Sequence, residues 1–461
     1  MGAKTTREIA EFVCDTRFDD LPKDVVDYAK VLALSHVGMT IAGSTMDFGN
    51  KVIQYVRSKG GTAEAGVFGA GFRTSADNAA LVNGNSAHAT ELEDDSFPET
   101  MYSCGHWPAV FAMGQKLKRT GREVLEAMIV GYEVSARLGL AFLPALQTGK
   151  GPYGALAAFA NAASSAKLLR LSGEQTVNAL SLAASQAAGL RRQTGTGAHL
   201  IEAGFAGRNG VCAAELAALG YTGTATILEG KDGFGDVWSN CPEFDLHLGD
   251  EFRMMRVGIK KYSCCFGTHR NIDAMLDLIA ENDLRWDDVA GIEHGINQTA
   301  AHNFLNRQQP TSEEDARFSF AHCSVACFFD GRVFLPSFTM DKVVDPKWHE
   351  ARKKVTVTVH DELPLGTYEN YESPVTITMK DGRRFERFCH TARGSPDNQR
   401  FGPAEVLKKY HDCLEFAGLF SRSRAEQIAD LTFGFERMRD VTELCELATY
   451  PDVVARTGSH G

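Results

Sequence analysis

Five short stretches of the chain hold the residues that could move a proton or grip an anion. The densest is His88-Ala-Thr-Glu91-Leu-Glu93-Asp94-Asp95, which follows Asn83-Gly84 and puts four carboxylates in five positions. On a helix, Glu91 and Asp94 stand three apart and share a face with His88, while Glu93 and Asp95 point elsewhere. Paired carboxylates can have their pKa values pushed apart for acid and base work, although a solvated acidic helix end explains the run as simply. In the second stretch, Cys104-Gly105-His106-Trp107-Pro108, glycine and proline bracket a histidine at the mouth of a helix starting near Ala109. Facing a cleft, His106 could shuttle a proton near neutral pH; facing the core, it is structural. The third stretch runs from Gly195 to Gly210 and sets His199 three residues before Glu202, the spacing of a histidine and the carboxylate that orients it. The fourth, Lys260-Lys261-Tyr-Ser-Cys-Cys-Phe-Gly-Thr-His269, lies where the chain changes character, and cations at such a junction could hold carboxylates. The fifth, Asp315-Ala-Arg317-Phe318-Ser319-Phe-Ala-His322, opens a helix in the second region, where a lone histidine is most often packing.

The elements that must position these residues are read from periodicity and end signals. From Thr5 to about Leu248 the apolar period is helical, and Thr5-x-x-Glu8, Thr120-x-x-Glu123 and Ser172-x-x-Gln175 match the capping box. Alanine, glycine and serine crowd Gly154 to Leu190, which lets helices pack backbone to backbone. Beyond residue 265 a helical stretch at Asn271–Glu281 gives way to strand-like runs at Gly291–Ile296, Val355–Val359 and Val375–Met379. Asp381-Gly382 supplies hairpin turn chemistry after the last of these. Helical patterning returns from Pro403, which predicts that the C-terminal stretch joins the first domain.

Composition bounds the function. A chain of 461 residues, 44% hydrophobic and 23% charged, predicts two or three folded domains. The formal charge of −11 disfavours nucleic-acid binding, which needs many cationic phosphate contacts. A carboxylate ligand is repelled at long range for the same reason, so its site must concentrate positive groups and donors locally. No uninterrupted apolar run of membrane-spanning length and no basic-then-apolar leader is seen, so a cytoplasmic protein without membrane attachment is expected. The eleven cysteines are scattered and lack paired CxxC spacing, which predicts reduced, mostly buried thiols and no metal or cofactor.

Taken together, NGNSAHATELEDD, GHWPAV, AAFANAASSAKLLRLS with SQAAGL, GTGAHLIEAGFAGRNGVCAAELA, KKYSCCFGTHRNIDA and DARFSFAH resemble the MmgE/PrpD family over most of the chain. That family includes 2-methylcitrate dehydratases, cis-aconitate decarboxylases and iminodisuccinate epimerases. The resemblance implies a mainly α fold: an all-helical domain from residues 1–262 and 403–461, and a smaller α+β lid domain from 263–402, usually as a homodimer. It places Glu91 at an acidic site position and His106 at the histidine of a His-Pro-type motif, here with Trp107 before Pro108. His199 stands where the family usually has a lysine, and His322 where it has a tyrosine. A further family histidine has no counterpart, because Gly151-Pro152-Tyr153 stands there beside Lys150. Asp94 and His269 fall in matching motifs as supporting residues.

The implied activity is that of a lyase removing a proton beside a carboxylate of a small di- or tricarboxylic acid, with dehydration or hydration first. Catalysis is expected from His106 as base, with Glu91, His199 and Asp94. Substrate binding is expected from Lys260, Lys261, His269, His322, Arg191, Arg192 and Lys150, without a metal. Epimerisation, isomerisation or decarboxylation of a similar acid are the alternatives within enzymes. A non-catalytic carboxylate-binding relative is the alternative of another class.

Overall fold

The computed structural model describes residues 5–96, 98–99, 102–297, 307–360 and 373–453. Residues 1–193, 198–257 and 402–461 form one unit, and residues 194–197 and 258–401 form a second.

The first unit is built of helices. At its centre lies the helix Lys23–Ser44, whose length and apolar content would suffice to cross a membrane, yet nearly every residue from Val25 to Ser44 is buried in the unit. It packs against Ala76–Ala89 and against Pro403–Ala417 from the far end of the chain. Small residues set these distances: a β-carbon at Gly43 would fall 1.7 Å from the Ser86 carbonyl oxygen, and one at Gly38 about 3.0 Å from Tyr410. The capping boxes Thr120–Glu123 and Ser172–Gln175 open the helices Gly121–Ala141 and Gly173–Ala184. The helix Thr5–Asp15 starts differently. Glu229, distant in sequence, accepts from the Thr6 amide at 3.1 Å and from the Thr6 hydroxyl. A carboxylate brought by tertiary folding thus does the work expected of Glu8, because either can meet the orphan amides of a helix start.

The second unit carries a four-stranded sheet in the order Val355–Val359, Val289–Ile296, Val375–Met379, Arg384–Arg387. The first pair is parallel and the others antiparallel. Val375–Met379 and Arg384–Arg387 form the hairpin announced by Asp381-Gly382, and Gly382 adopts φ +90°, open to glycine at little cost. Helices His269–Asn282 and Phe320–Phe329 share its core with Ile292, Val355, Ile377 and Trp348. The chain is therefore mainly α with a smaller α+β portion.

Candidate active site

Helix Ala76–Ala89 ends just before the first carboxylate of the acidic run. Thr90 turns its hydroxyl back on the Ala87 carbonyl at 2.7 Å, and Glu91 takes a left-handed φ of +50° while its amide still bonds the His88 carbonyl at 3.1 Å. Glu91 and Asp94 therefore do not continue one helical face, because a residue with positive φ cannot propagate a right-handed helix. The reversal nonetheless brings Glu91 under His88, with Nε2 3.8 Å from its Oε1. Glu93, expected to point elsewhere, also faces His88, at 4.0 Å. Asp94 departs on the short strand Asp94–Ser96 and accepts from the Ser103 amide at 2.8 Å and the Ser103 hydroxyl at 2.7 Å. Burial raises the Asp94 carboxyl above its ordinary range, against the pull of those two hydrogen bonds.

His199 arrives from a second helix, Gly197–Ala218. That helix crosses Ala76–Ala89 backbone to backbone, since a β-carbon on Gly84 would lie 2.9 Å from the Gly204 α-carbon. The crossing sets the His88 and His199 rings edge to face with centroids 4.5 Å apart. Glu202, one turn on, faces His199 Nδ1 at 3.6 Å. The His88 ring is fixed from behind, with Nδ1 3.2 Å from the Leu200 carbonyl oxygen. A carbonyl can only accept, so Nδ1 carries the proton of this contact.

Sequence reasoning passed over the third side of the cluster. Tyr153, at the start of helix Pro152–Leu169, meets His88 at 5.6 Å between centroids and Tyr102 at 4.4 Å. Its hydroxyl lies 3.2 Å from Cys104 Sγ. Burial pushes the Tyr153 phenol well above the usual tyrosine range, and the neighbouring Cys104 adds to it. The signal that could have found Tyr153 was its place in Gly151-Pro152-Tyr153, where the family's histidine is missing.

His106 is placed otherwise than expected. It occupies the N-cap position of helix Trp107–Lys116, fully buried, with Nε2 2.7 Å from the Ser164 hydroxyl. Ser164 donates to the Ala127 carbonyl at 2.7 Å, so His106 Nε2 is the donor in its own bond. Ser164 and Tyr153 are on one helix, their α-carbons about 16 Å apart along its axis at 1.5 Å per residue. Burial lowers the His106 pKa to about 3, which leaves it a weak base. The residues of this loop that face Tyr153 are Cys104 and Gly105, and a β-carbon added at Gly105 would fall 2.6 Å from the phenol oxygen.

Four residues expected to bind substrate, His322, Lys150, Lys261 and His269, are engaged in holding the protein together. His322 uses both ring nitrogens, Nε2 on the Ser337 carbonyl at 2.8 Å and Nδ1 toward Arg352 at 3.1 Å, and stacks on Trp348. Burial lowers its pKa to about 4. Lys150 gives its ammonium to the Val237 and Trp238 carbonyls at 2.7 and 2.6 Å. Lys261 pairs with Asp273 at 3.3 Å, which also accepts from the Tyr262 hydroxyl at 2.6 Å. His269 is buried against Phe266 and Tyr262, with Nε2 3.1 Å from the Cys264 carbonyl oxygen, and Lys260 is buried nearby in sequence. Lys260, Lys261, His269 and His322 all belong to the second unit. Arg191 and Arg192 are exposed on the turn Arg191–Gln193, which main-chain bonds from Gly151 to Gly189 and from Arg191 to Gly149 tie to the segment preceding Tyr153.

Two open surface concavities, of about 420 Å³ around Thr226 and Glu229 and about 540 Å³ around Arg437 and Asp440, include none of the clustered residues. The clustered residues are thus a mostly buried polar group of imidazoles, carboxylates and phenols, with His199 and Glu202 its part-exposed members. Such a group can hold a carboxylate through N–H and O–H donors and deliver a proton to it or beside it.

Known proteins resemble the chain over most of its length. A cis-aconitate decarboxylase of Aspergillus terreus is 27% identical over 477 residues, covering 97% of this chain and 96% of that protein. The Mus musculus cis-aconitate decarboxylase is 27% identical over 471 residues, covering 98% and 95%, and that of Homo sapiens 27% over 396 residues, covering 82% of each. Models of the MmgE/PrpD N-terminal domain and the MmgE/PrpD C-terminal domain match residues 7–247 and 262–434, and the chain belongs to the MmgE/PrpD family.

Proposed function

We propose that this protein is a carboxylic-acid lyase that removes carbon dioxide from an unsaturated tricarboxylate of the cis-aconitate class. The observation that carries the reading is the meeting of His88, Glu91, His199 and Tyr153 in the helical unit, in a chain aligned nearly end to end with proteins named for that reaction.

Decarboxylation breaks a carbon–carboxylate bond and leaves its electron pair on carbon, where it must be delocalised and then take a proton. The protein needs groups that hold the remaining carboxylates and one proton donor beside the carbon. The imidazoles of His88 and His199 supply the first. The Tyr153 hydroxyl, kept in its neutral form by burial, supplies the second. Dehydration, favoured from the sequence alone, needs in addition a base of moderate strength to take a proton from carbon. His106 was the candidate for that base, and its place beside Ser164 with a pKa near 3 argues against the role.

The test is incubation with cis-aconitate, following carbon dioxide and the proton spectrum of the product, with citrate-type hydroxy acids in parallel. Carbon dioxide with an unsaturated dicarboxylate supports the proposal. Interconversion of hydroxy and unsaturated acids without gas replaces it with hydro-lyase chemistry, and proton exchange alone with epimerisation. Thermal stabilisation by these acids with no turnover would make the chain a binding protein. A homodimer belongs to the same proposal, and sedimentation velocity tests it.

A further inference from the structure

A Tyr153 hydroxyl that gives its proton to carbon is left as a phenolate inside the helical unit, and the next turnover needs that proton back. The Tyr153 side chain is buried, and so is the Cys104 thiol, whose Sγ lies 3.2 Å from the hydroxyl oxygen. The loop Ser103–Gly105 that carries Cys104 is anchored on both sides of it. Ser103 gives its amide and hydroxyl to Asp94 at 2.8 and 2.7 Å, and the Gly105 carbonyl accepts from Asn161 Nδ2 at 2.7 Å. Asn161 stands on the helix Pro152–Leu169 that also carries Tyr153, so this bond ties the loop to the element that holds the phenol. A β-carbon at Gly105 would fall 2.6 Å from the phenol oxygen, so glycine there lets the hydroxyl come up against the loop.

The chemistry of the pair has a direction. In water a thiol, with a pKa of about 8.5, is a stronger acid than a phenol, at about 10, so a phenolate beside a thiol draws off its proton. The surroundings of Tyr153 favour the neutral phenol further: burial first, then Cys104, Glu93 and Tyr102, push it well above the usual tyrosine range. Solvent reaches the edge of the group at Tyr102, which is part-exposed and stacks on Tyr153 with ring centroids 4.4 Å apart.

We infer that Cys104 is the proton relay of this site, returning to Tyr153 the proton that its hydroxyl gives to carbon; the inference rests on the decarboxylase reading. As the carbon–carboxylate bond breaks, carbon dioxide leaves and its electron pair stays on carbon. That pair takes the hydroxyl proton, forming a C–H bond and a phenolate. The phenolate then takes the thiol proton, and the thiolate takes one from solvent before the next cycle. Each carbon dioxide released thus consumes one solvent proton, and nothing is oxidised or reduced.

Cys104→Ser and Cys104→Ala, made in the full chain and checked for folding by their melting curves, test the relay. Serine keeps a hydrogen-bonding hydroxyl in the place of the thiol, but an alcohol is a weaker acid than a phenol and cannot return the proton. Carbon dioxide release from cis-aconitate is followed by stopped flow from the first turnover into the steady state. Both variants are expected to complete the first turnover at the wild-type rate, on the proton that Tyr153 already holds. Their steady rate is then expected to fall about 10²-fold, the lower end of what acid–base groups contribute, while the wild type shows no such break. A cysteine that only packs would slow the first turnover as much as the later ones, and that pattern overturns the relay. A steady rate within about twofold of wild type in either variant overturns it too. Wild-type protein that releases no carbon dioxide from this acid sinks the decarboxylase reading itself, and the relay with it.

Discussion

The imidazoles of His88 and His199 meet edge to face with their ring centroids 4.5 Å apart. The contact exists because Gly84 lies one turn before His88 and lets the two helices touch at Gly204. A β-carbon on Gly204 would stand 2.2 Å from the Leu81 carbonyl oxygen, a rigid neighbour that cannot rotate away. Gly204→Ala is therefore expected to lower stability by about 1–3 kcal/mol, as overpacking does. Turnover of the folded fraction should fall as well, because the rings are pushed apart. Urea unfolding with kcat/KM on the same preparation checks both; a variant unchanged in each contradicts the crossing.

Tyr153→Phe deletes a single oxygen beside His88 and Cys104. If the hydroxyl protonates carbon, kcat should drop by about 10²-fold or more while KM moves little. Activity within about twofold of the parent would remove Tyr153 from the mechanism.

His106→Ala separates a core role from a catalytic one. The substitution leaves Ser164 its bond to the Ala127 carbonyl but empties space against Gly131 and Tyr132. A loss of about 1–3 kcal/mol is expected from the lost hydrogen bond and cavity, with turnover per folded molecule nearly kept. A properly folded variant lacking turnover would restore His106 as the base.

Acid should unfold the protein through its buried histidines. Burial lowers His36, His106 and His294 to about 3, and His322 to about 4. An unfolded histidine titrates near 6.5, so below that pH the unfolded chain binds more protons than the folded one. The stability these residues confer is fully present above about pH 6.5 and is lost progressively toward pH 3 to 4. Melting temperature should fall along that window, and His294→Gln, if it folds, should flatten the slope. A melting temperature level from pH 7 to 4 would contradict the burial of these rings.

Much of this protein was legible from neighbours in the chain. Apolar period marked the helices, Thr120–Glu123 and Ser172–Gln175 marked two helix starts, and alternation marked Val355–Val359 and Val375–Met379. These features depend on residues within a turn or two of each other, so local chemistry suffices to write them. Glu91 and His199 were also singled out by type and spacing, and the structure brings them together.

Tertiary structure alone decided the rest. Which histidine reaches the cluster depends on a left-handed turn at Glu91 and on which face of the Ser103–Gly105 turn looks toward Tyr153; there Gly105 faces the phenol and His106 the Ser164 side of the core. Tyr153 entered through packing between helices, and Glu229 came from far along the chain to close the first helix. Periodicity states which residues are apolar enough to be buried, but the partner each buried face meets is set by close contact between distant backbones. In this fold, glycines at single positions such as Gly84 and Gly204 permit that contact.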